Sequence, residues 1–276
     1  MPKPKVLIFS GYGLNCEEET KHAFELAGAD VEIVHINDLL SDPKKIHSFQ
    51  ILVFPGGFSY GDDLGSGNAY ANKLRNHLWG QLTNYLQKDH LIIGICNGFQ
   101  ILSRLGLLPA SKKKYGSKQV DLLNNISVRY TVRWVDLKIK NDSPWLKGID
   151  TLSTAVAHGE GNLFIPEQTL KQLYQNNQVA LQYIQGDICN YQNLEANPNG
   201  SIDNIAGLTD PTGRILGLMP HPERSVYFTQ LPDWQLQKEI LIRQGKNLPK
   251  FGPGLQIFKN AVNYFNFTKK GCNHEL

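Results

Sequence analysis

The first half of the chain alternates short apolar runs with segments whose apolar residues recur at helical spacing. The apolar runs predict buried strands at residues 6–9, 31–34, 51–54 and 91–95. The segments between them predict helices from about Asn15 to Gly28, over about 69–87, and from Cys96 to Gly106. Because continuous apolar strands are buried on both faces, this alternation predicts an α/β fold, a mostly parallel open sheet with helices on both faces.

The second half contains more strands than the first. Apolar runs predict strands at residues 126–134, 137–140, 179–183, 205–208 and 214–219, and a closing helix at 256–267. Neither an internal repeat nor a low-complexity linker separates the two halves. We therefore predict a single domain over residues 1–276.

Composition and charge narrow the class of protein. The 276 residues are 41% hydrophobic and carry a net charge of +3, from 28 Lys and Arg against 25 Asp and Glu. A chain of this size buries enough surface to fold without disulfides or a metal. Its charge balance argues against a surface that tracks nucleic-acid phosphates. No apolar stretch approaches the roughly 20 residues of a membrane span, and the run at 6–9 is too short for a signal peptide.

The four cysteines predict a reducing compartment. Cys16, Cys96, Cys189 and Cys272 are scattered and form no C-x-x-C pair. An even number could form two disulfides, but without a secretory signal we expect reduced thiols in the cytoplasm. The sequence also lacks a P-loop, a complete G-x-G-x-x-G motif and zinc-ligand spacing, so we predict that this chain binds no cofactor and no metal.

One segment has the pattern of a nucleophile elbow. Gly94-Ile95-Cys96-Asn97-Gly98 places a cysteine between an apolar strand and a predicted helix, with a glycine two residues to either side. The N-terminus of a helix favours a thiolate, and the backbone N–H of Asn97 would face a developing oxyanion. The alternative is a buried cysteine that only packs in the core.

A histidine and a pair of glycines follow two other predicted strands. His221 and Glu223 come directly after the strand at 214–219, and Gly56-Gly57 after the strand at 51–54. Because the carboxyl ends of parallel strands share one edge, His221 could reach Cys96 as its base, with Glu223 fixing the imidazole tautomer. The glycine pair could offer a second oxyanion N–H. Taken separately, these features are more typical of a polar surface pair and of a glycine-rich turn.

Taken together, five segments resemble the class I, triad-type glutamine amidotransferases, and within them the glutaminase subunits of phosphoribosylformylglycinamidine synthase. They are P-G-G-F-S-Y-G-D at 55–62, G-I-C-N-G-F-Q-I-L at 94–102, A-H-G-E-G-N at 157–162, N-P-N-G-S at 197–201 and M-P-H-P-E-R at 219–224. The resemblance runs from about residue 6 to 224 and resumes over the last helix. It implies a flavodoxin-like amidotransferase domain with extra strands in the second half.

The resemblance also implies catalytic roles. Cys96 would be the nucleophile that forms a γ-glutamyl thioester. His221 would be its base, and Glu223 would orient the imidazole. Gly57 and Asn97 would supply the oxyanion N–H groups.

Further roles implied by the resemblance concern the substrate and the partners. Gln100, Gly159 and Glu160 would help to seat glutamine, while His158 would be structural and outside the triad. The chain would hydrolyse L-glutamine and supply ammonia to a synthase subunit, which uses ATP and Mg to form an amidine in de novo purine biosynthesis. A small third subunit would complete the complex. We expect low glutaminase activity in the free chain, controlled by a Gly57 peptide that can turn at little steric cost.

Two stretches depart from the family pattern. Residues 185–196 and 225–253 are longer than the pattern has them, the second as a possible insertion. For these two stretches the resemblance predicts neither the structure that covers the site nor the surface that contacts the partners. Three alternatives also stay open: an amidotransferase for another acceptor, a cysteine hydrolase of similar architecture, and a non-catalytic binding protein that keeps the fold.

Overall fold

A mixed sheet with helices around it organises the computed structural model, which describes residues 3–271 and, from residue 267 on, the backbone alone. The strands are β1 Lys5–Ser10, β2 Asp30–His35, β3 Ile51–Phe54, β4 Leu91–Ile95, β5 Asp121–Leu123, β6 Thr131–Ile139, β7 Thr151–His158, β8 Asn162–Phe164, β9 Val179–Ile184, β10 Ile205–Thr209 and β11 Ile215–Leu218. The helices are α1 Glu17–Ala27, α2 Ile36–Ser41, α3 Asn68–His77, α4 Trp79–Leu86, α5 Asn97–Leu105, α6 Glu167–Gln175, α7 Asp187–Gln192, α8 Trp234–Arg243 and α9 Leu255–Gly271.

Within the described residues, the main sheet has nine strands in the order β2-β1-β3-β4-β11-β10-β9-β6-β7. The pairs from β2 to β11 are parallel, and the pairs from β11 to β7 are antiparallel. The α/β class is therefore confirmed, and the antiparallel half contains the extra strands of the second half of the chain. β5 and β8 form a separate two-stranded sheet. A single domain over 1–276 stays a prediction.

The best-predicted elements are those with the strongest local signals. Every residue of β3 and β4 is buried, as their continuous apolar runs predict. α1 carries three acidic residues in its first turn and ends at Gly28, which takes the left-handed conformation typical of a helix C-terminus. α5 ends in the same way at Gly106.

The helix predicted over 69–87 is wrong as a single element. The chain breaks at Leu78, which has φ −120° and ψ 1°, between α3 and α4. Leu78 is fully buried, α3 packs on α5, and α4 packs on the turn at residues 43–48. The two halves of the segment therefore cover different neighbours, which one straight helix could not do.

The two strands predicted at 126–134 and 137–140 form one strand, and the first was predicted to begin five residues too early. A turn fills the first part, where Val128 has φ +55° and its N–H donates to Asn125 O at 2.8 Å. The rest is one continuous strand, β6, paired with β7 and β9. No sequence pattern predicted the strands β5, β7 and β8 or the helices α2, α6, α7 and α8. α9 extends beyond its predicted end at 267, and Cys272 lies outside the described residues.

The two long stretches have different structures. In residues 185–196, α7 packs on β6, and Cys189 N donates to Asp136 Oδ2 at 2.9 Å. In residues 225–253, α8 contributes no buried residue, and Leu236 and Ile240 are exposed. Among the described helices, none is both long and apolar enough to cross a bilayer.

Candidate active site

Cys96 occupies a strained turn between β4 and α5. Its backbone has φ 52° and ψ −106°, a conformation that a residue with a side chain rarely adopts. Gly98 must be a glycine, because a Cβ there would lie 1.8 Å from Phe54 O. Cys96 itself is 5% exposed, and its Sγ lies 3.7 Å from Ala157 O. The nucleophile-elbow geometry predicted from the sequence is present.

The second component of the site is His221, which follows the neighbouring strand. β11 pairs in parallel with β4, with Leu218 opposite Ile95, so the chain delivers His221 beside Cys96. The imidazole Nδ1 lies 2.5 Å from Glu223 Oε1, and both side chains are almost completely buried. Backbone bonds fix the residue, since His221 N donates to Ala155 O at 2.8 Å and Thr154 Oγ1 donates to His221 O.

The charge state of His221 follows from its neighbours. Burial has the largest single effect and lowers the pKa of the imidazole, but the Glu223 carboxylate, Cys96 and Cys16 all raise it and together outweigh burial. The net result is a pKa well above the ordinary value. Among the described residues, Nε2 has no hydrogen-bond partner and is buried. The ring therefore has one nitrogen held by a carboxylate and one nitrogen free to exchange a proton.

Two backbone N–H groups, those of Gly57 and Asn97, are free to donate a hydrogen bond to a substrate. Neither Gly57 N nor Asn97 N has an acceptor within the described part of the chain. The two loops are tied together, because Ser59 N donates to Asn97 Oδ1 at 3.2 Å. A Cβ on Gly57 would lie 2.5 Å from Gly13 O, so this position accepts only glycine without a shift of the backbone.

The Gly56–Gly57 peptide is held more firmly than the sequence predicts. Gly56 O accepts hydrogen bonds from both Asn15 N and Cys16 N, each at 3.1 Å. Turning this peptide would break both bonds. That the Gly57 peptide can turn at little steric cost stays a prediction, and the two hydrogen bonds add a cost that the steric argument did not include.

The residues expected to seat glutamine line or shape one cavity. Gly159 and Glu160, with Phe58, Asp62, Ser66 and Tyr130, line a cavity of about 230 Å³ next to the elbow. Gln100 is buried behind it: its Nε2 donates to Glu160 O at 2.6 Å, and its Oε1 accepts from Asn97 Nδ2 at 2.8 Å. Gln100 thus holds the backbone of Glu160 in place, and with it one side of the cavity.

His158 lies in a hydrogen-bond network outside the Cys96–His221 contact. Its Nδ1 lies 3.1 Å from Asn125 Oδ1, and its Nε2 lies 3.4 Å from Asn199 Nδ2. Burial lowers the pKa of His158 to about 3. Both nitrogens are occupied and the ring stays neutral, which agrees with the structural role expected for this residue.

The described residues contain one group of side chains with metal-ligand chemistry. Cys16, His221 and Glu223 offer sulfur, nitrogen and oxygen atoms within 4.8 Å of one another, a donor set that zinc accepts. The Arg224 guanidinium, however, donates to Cys16 Sγ at 3.3 Å, and His221 already bonds Glu223. A metal cation would have to displace the hydrogen bond between His221 and Glu223 and would lie beside the positive Arg224 guanidinium. The arrangement therefore favours proton transfer over metal binding.

Cys16 and Tyr130 belong to this site although no motif in the sequence predicted them there. Cys16 follows β1, whose carboxyl end lies at the same edge as those of β3, β4 and β11, and that position was the available signal. Tyr130 was assigned to a strand but lines the cavity and sits 5.9 Å from Phe58, ring to ring. No sequence pattern pointed to it.

The chain resembles a family and individual proteins over nearly its whole length. The family described as the CobB/CobQ-like glutamine amidotransferase domain matches residues 3–265. The phosphoribosylformylglycinamidine synthase subunit PurQ of Methanococcus maripaludis is 50% identical over 268 residues, covering 95% of this chain and 98% of that protein. The subunit of the same name from Dehalococcoides mccartyi is 42% identical over 266 residues, covering 96% and 98%.

A solved structure adds the third comparison. A chain of the PurLQS structure from Thermotoga maritima is 29% identical and superposes with a TM-score of 0.68, over 95% of this chain and 99% of that one. Because 95% of this chain is covered, the similarity includes the elbow at Cys96, the end of β11 before His221 and the antiparallel half of the sheet. On the family match and on the two relatives, this chain belongs to the CobB/CobQ-like glutamine amidotransferase domain family.

Proposed function

We propose that this chain is the glutaminase subunit of a phosphoribosylformylglycinamidine synthase. The observation that carries the chemistry is the convergence of a strained cysteine elbow with a buried His221–Glu223 pair at adjacent strand ends. The choice of acceptor is supported by relatives of that name at 50% and 42% identity, which match the chain almost end to end. Another acceptor or a simple cysteine hydrolase lacks such support.

The first half-reaction forms the thioester. His221 Nε2 takes the proton of the Cys96 thiol, and the sulfur attacks the side-chain amide carbon of glutamine. The negative oxygen that develops accepts hydrogen bonds from Gly57 N and Asn97 N. His221 then gives its proton to the leaving nitrogen, which departs as ammonia and leaves a γ-glutamyl thioester on Cys96.

Hydrolysis completes the cycle with the same groups. His221 removes a proton from water, and the hydroxyl oxygen attacks the thioester carbon. The sulfur leaves and is reprotonated by His221, which releases glutamate. Glu223 holds Nδ1–H throughout, so Nε2 presents its lone pair to the reacting atoms.

Partners follow from the fate of the ammonia. The resemblance implies a separate synthase subunit that uses the ammonia with ATP, and a small third subunit that completes the complex. The cavity lined by Asp62, which accepts a hydrogen bond from Asn97 of the elbow, has an apolar exposed rim. There Phe58, Val128 and Tyr130 are 42%, 81% and 51% exposed. Exposed apolar groups concentrated at one opening are typical of a protein contact, and a partner seated there would receive ammonia without its passing through bulk water.

The cytoplasmic location belongs to the same proposal. The three cysteines that the structure describes, Cys16, Cys96 and Cys189, are free thiols. A reducing compartment keeps thiols in that state.

The test is glutamate formation from glutamine by the chain co-purified with its synthase subunit. Cys96→Ser should lose glutamine-dependent amidine formation but keep the reaction when ammonium salt is supplied, because the acceptor site lies on the partner. Cys189→Ser, a buried thiol of α7 outside the site, is the matched control and should behave as wild type. A Cys96→Ser variant with normal glutamine turnover would exclude the proposed nucleophile.

A further inference from the structure

Cys16 places a second sulfur beside the catalytic imidazole. It is 1% exposed and directly precedes α1. A Cβ built on Gly56 would lie 3.0 Å from Cys16 Sγ and 2.8 Å from His221 Cε1, so the sulfur and the Cε1 edge of the ring share one small space. The mechanism above gives this thiol no task.

Several hydrogen bonds fix the sulfur, and in one of them the Cys16 thiol donates to Asn15 Oδ1 at 3.4 Å. Cys16 N donates to Gly56 O, which anchors the residue to the oxyanion turn. Arg224 Nη2 donates to Sγ at 3.3 Å, and Arg224 is itself 3.8 Å from Glu19 Oε1. The position of the sulfur therefore depends on the backbone beside the oxyanion hole and on the residue that follows Glu223.

We propose that Cys16 is a positioning residue for His221: its sulfur blocks rotation of the imidazole away from Cys96 and lies against the imidazolium that forms during turnover. This inference rests on the proposed function. The torsion that turns an imidazole has only broad preferences, so the Glu223 bond alone leaves the ring a range of tilts. Misplacement of a reacting group by about 1 Å can cost on the order of 100-fold in rate.

The charges around the ring are compatible with this role. The titratable and charged groups that act on His221, or lie with it at the mouth of the site, are Glu223, Cys96, Cys16, His158, Tyr130 and Arg224. Burial raises the pKa of the Cys16 thiol, so it is neutral at pH 7 and does not compete with Cys96 for reaction. A neutral, polarisable sulfur can pack against a cationic ring without adding a buried charge.

The test replaces Cys16 with alanine and with serine. Alkylation of Cys96 by iodoacetamide is followed against pH, and peptide mass spectrometry separates the Cys96 adduct from any other. In Cys16→Ala the pH of half-maximal alkylation should rise, and kcat of the complex should fall by about 10- to 100-fold with KM for glutamine unchanged. Cys16→Ser, close in size, should recover part of both. Cys189→Ala is the control and should change neither.

A folded Cys16→Ala variant with the wild-type alkylation profile and wild-type kcat would overturn the proposal. So would a variant that raises KM and leaves kcat alone, because Cys16 would then act on glutamine rather than on the imidazole. If Cys16→Ala does not fold, the profile of Cys16→Ser decides by the same criteria. Failure of the proposed function would look different: wild-type complex would form no glutamate, whereas the alkylation profile needs no glutamine.

Discussion

The hydrogen bond between His221 and Glu223 allows a quantitative prediction for Glu223→Gln. Glutamine keeps the size of the side chain and an oxygen acceptor but removes the negative charge. Both partners are almost completely buried, so water does not screen the charge that is lost. Without the Glu223 charge, less remains to counter the effect of burial on His221. The pKa of the imidazole should therefore fall towards or below its ordinary value.

The size of the effect follows from the 2.5 Å bond. A hydrogen bond to a charged group contributes about 1.5 to 3 kcal/mol and a neutral one about 1 kcal/mol, so the charge alone is worth up to about 2 kcal/mol. At about 1.4 kcal/mol for each factor of ten, kcat should fall by up to about 30-fold. If the new amide turns its NH2 towards Nδ1, the wrong tautomer is stabilised and the loss approaches about 10,000-fold. His221→Ala should be worse than either, because it removes the base.

The assay is steady-state glutamine hydrolysis by the complex, with Glu25→Gln as the matched control on the exposed face of α1. The pH of half-maximal Cys96 alkylation should also rise in Glu223→Gln, since the imidazolium is less stabilised. A double variant with His221→Ala should be no slower than His221→Ala alone, because Glu223 acts through the imidazole. A defect in the double variant equal to the product of two large independent defects would refute this reasoning.

Further predictions concern the oxyanion turn, the neutral histidine and the partner. Gly57→Ala should lower kcat by about 100- to 1000-fold, since its Cβ would meet Gly13 O at 2.5 Å; unchanged kcat would remove Gly57 from the oxyanion hole. Between pH 6.5 and about 3 the unfolded chain protonates His158 and the folded chain does not, so this residue should lower stability by about 1.4 kcal/mol per pH unit as pH falls. Urea unfolding near pH 5 and pH 7 gives the change in unfolding free energy with pH for the wild type and for His158→Gln. The change should be larger in the wild type, and equal changes in the two proteins would contradict the prediction. Glutamine hydrolysis should rise when the synthase subunit and its nucleotides are added to the free chain; equal turnover, with equal alkylation of Cys96, would mean a preformed site.

Local patterns were enough to predict the parallel half of the sheet and the elbow. β1, β3 and β4 are continuous apolar runs, which are typical of strands buried on both faces of a sheet. Gly28 and Gly106 indicate helix ends because glycine readily adopts the left-handed backbone found there. The five family segments could be recognised in the same way, because each is a short run of consecutive residues. In all these cases the information is contiguous in the chain.

Only the tertiary structure decided which distant segments meet. Leu78 breaks a segment of helical pattern because its two halves pack on different neighbours, and residues 126–130 leave the sheet because the turn at Val128 replaces strand pairing. Cys16 reaches His221 because β1 lies next to β3, which brings the turn before α1 onto Gly56, while β11 lies next to β4. A sequence pattern reports the period of one element, whereas the order of strands results from packing all of them at once.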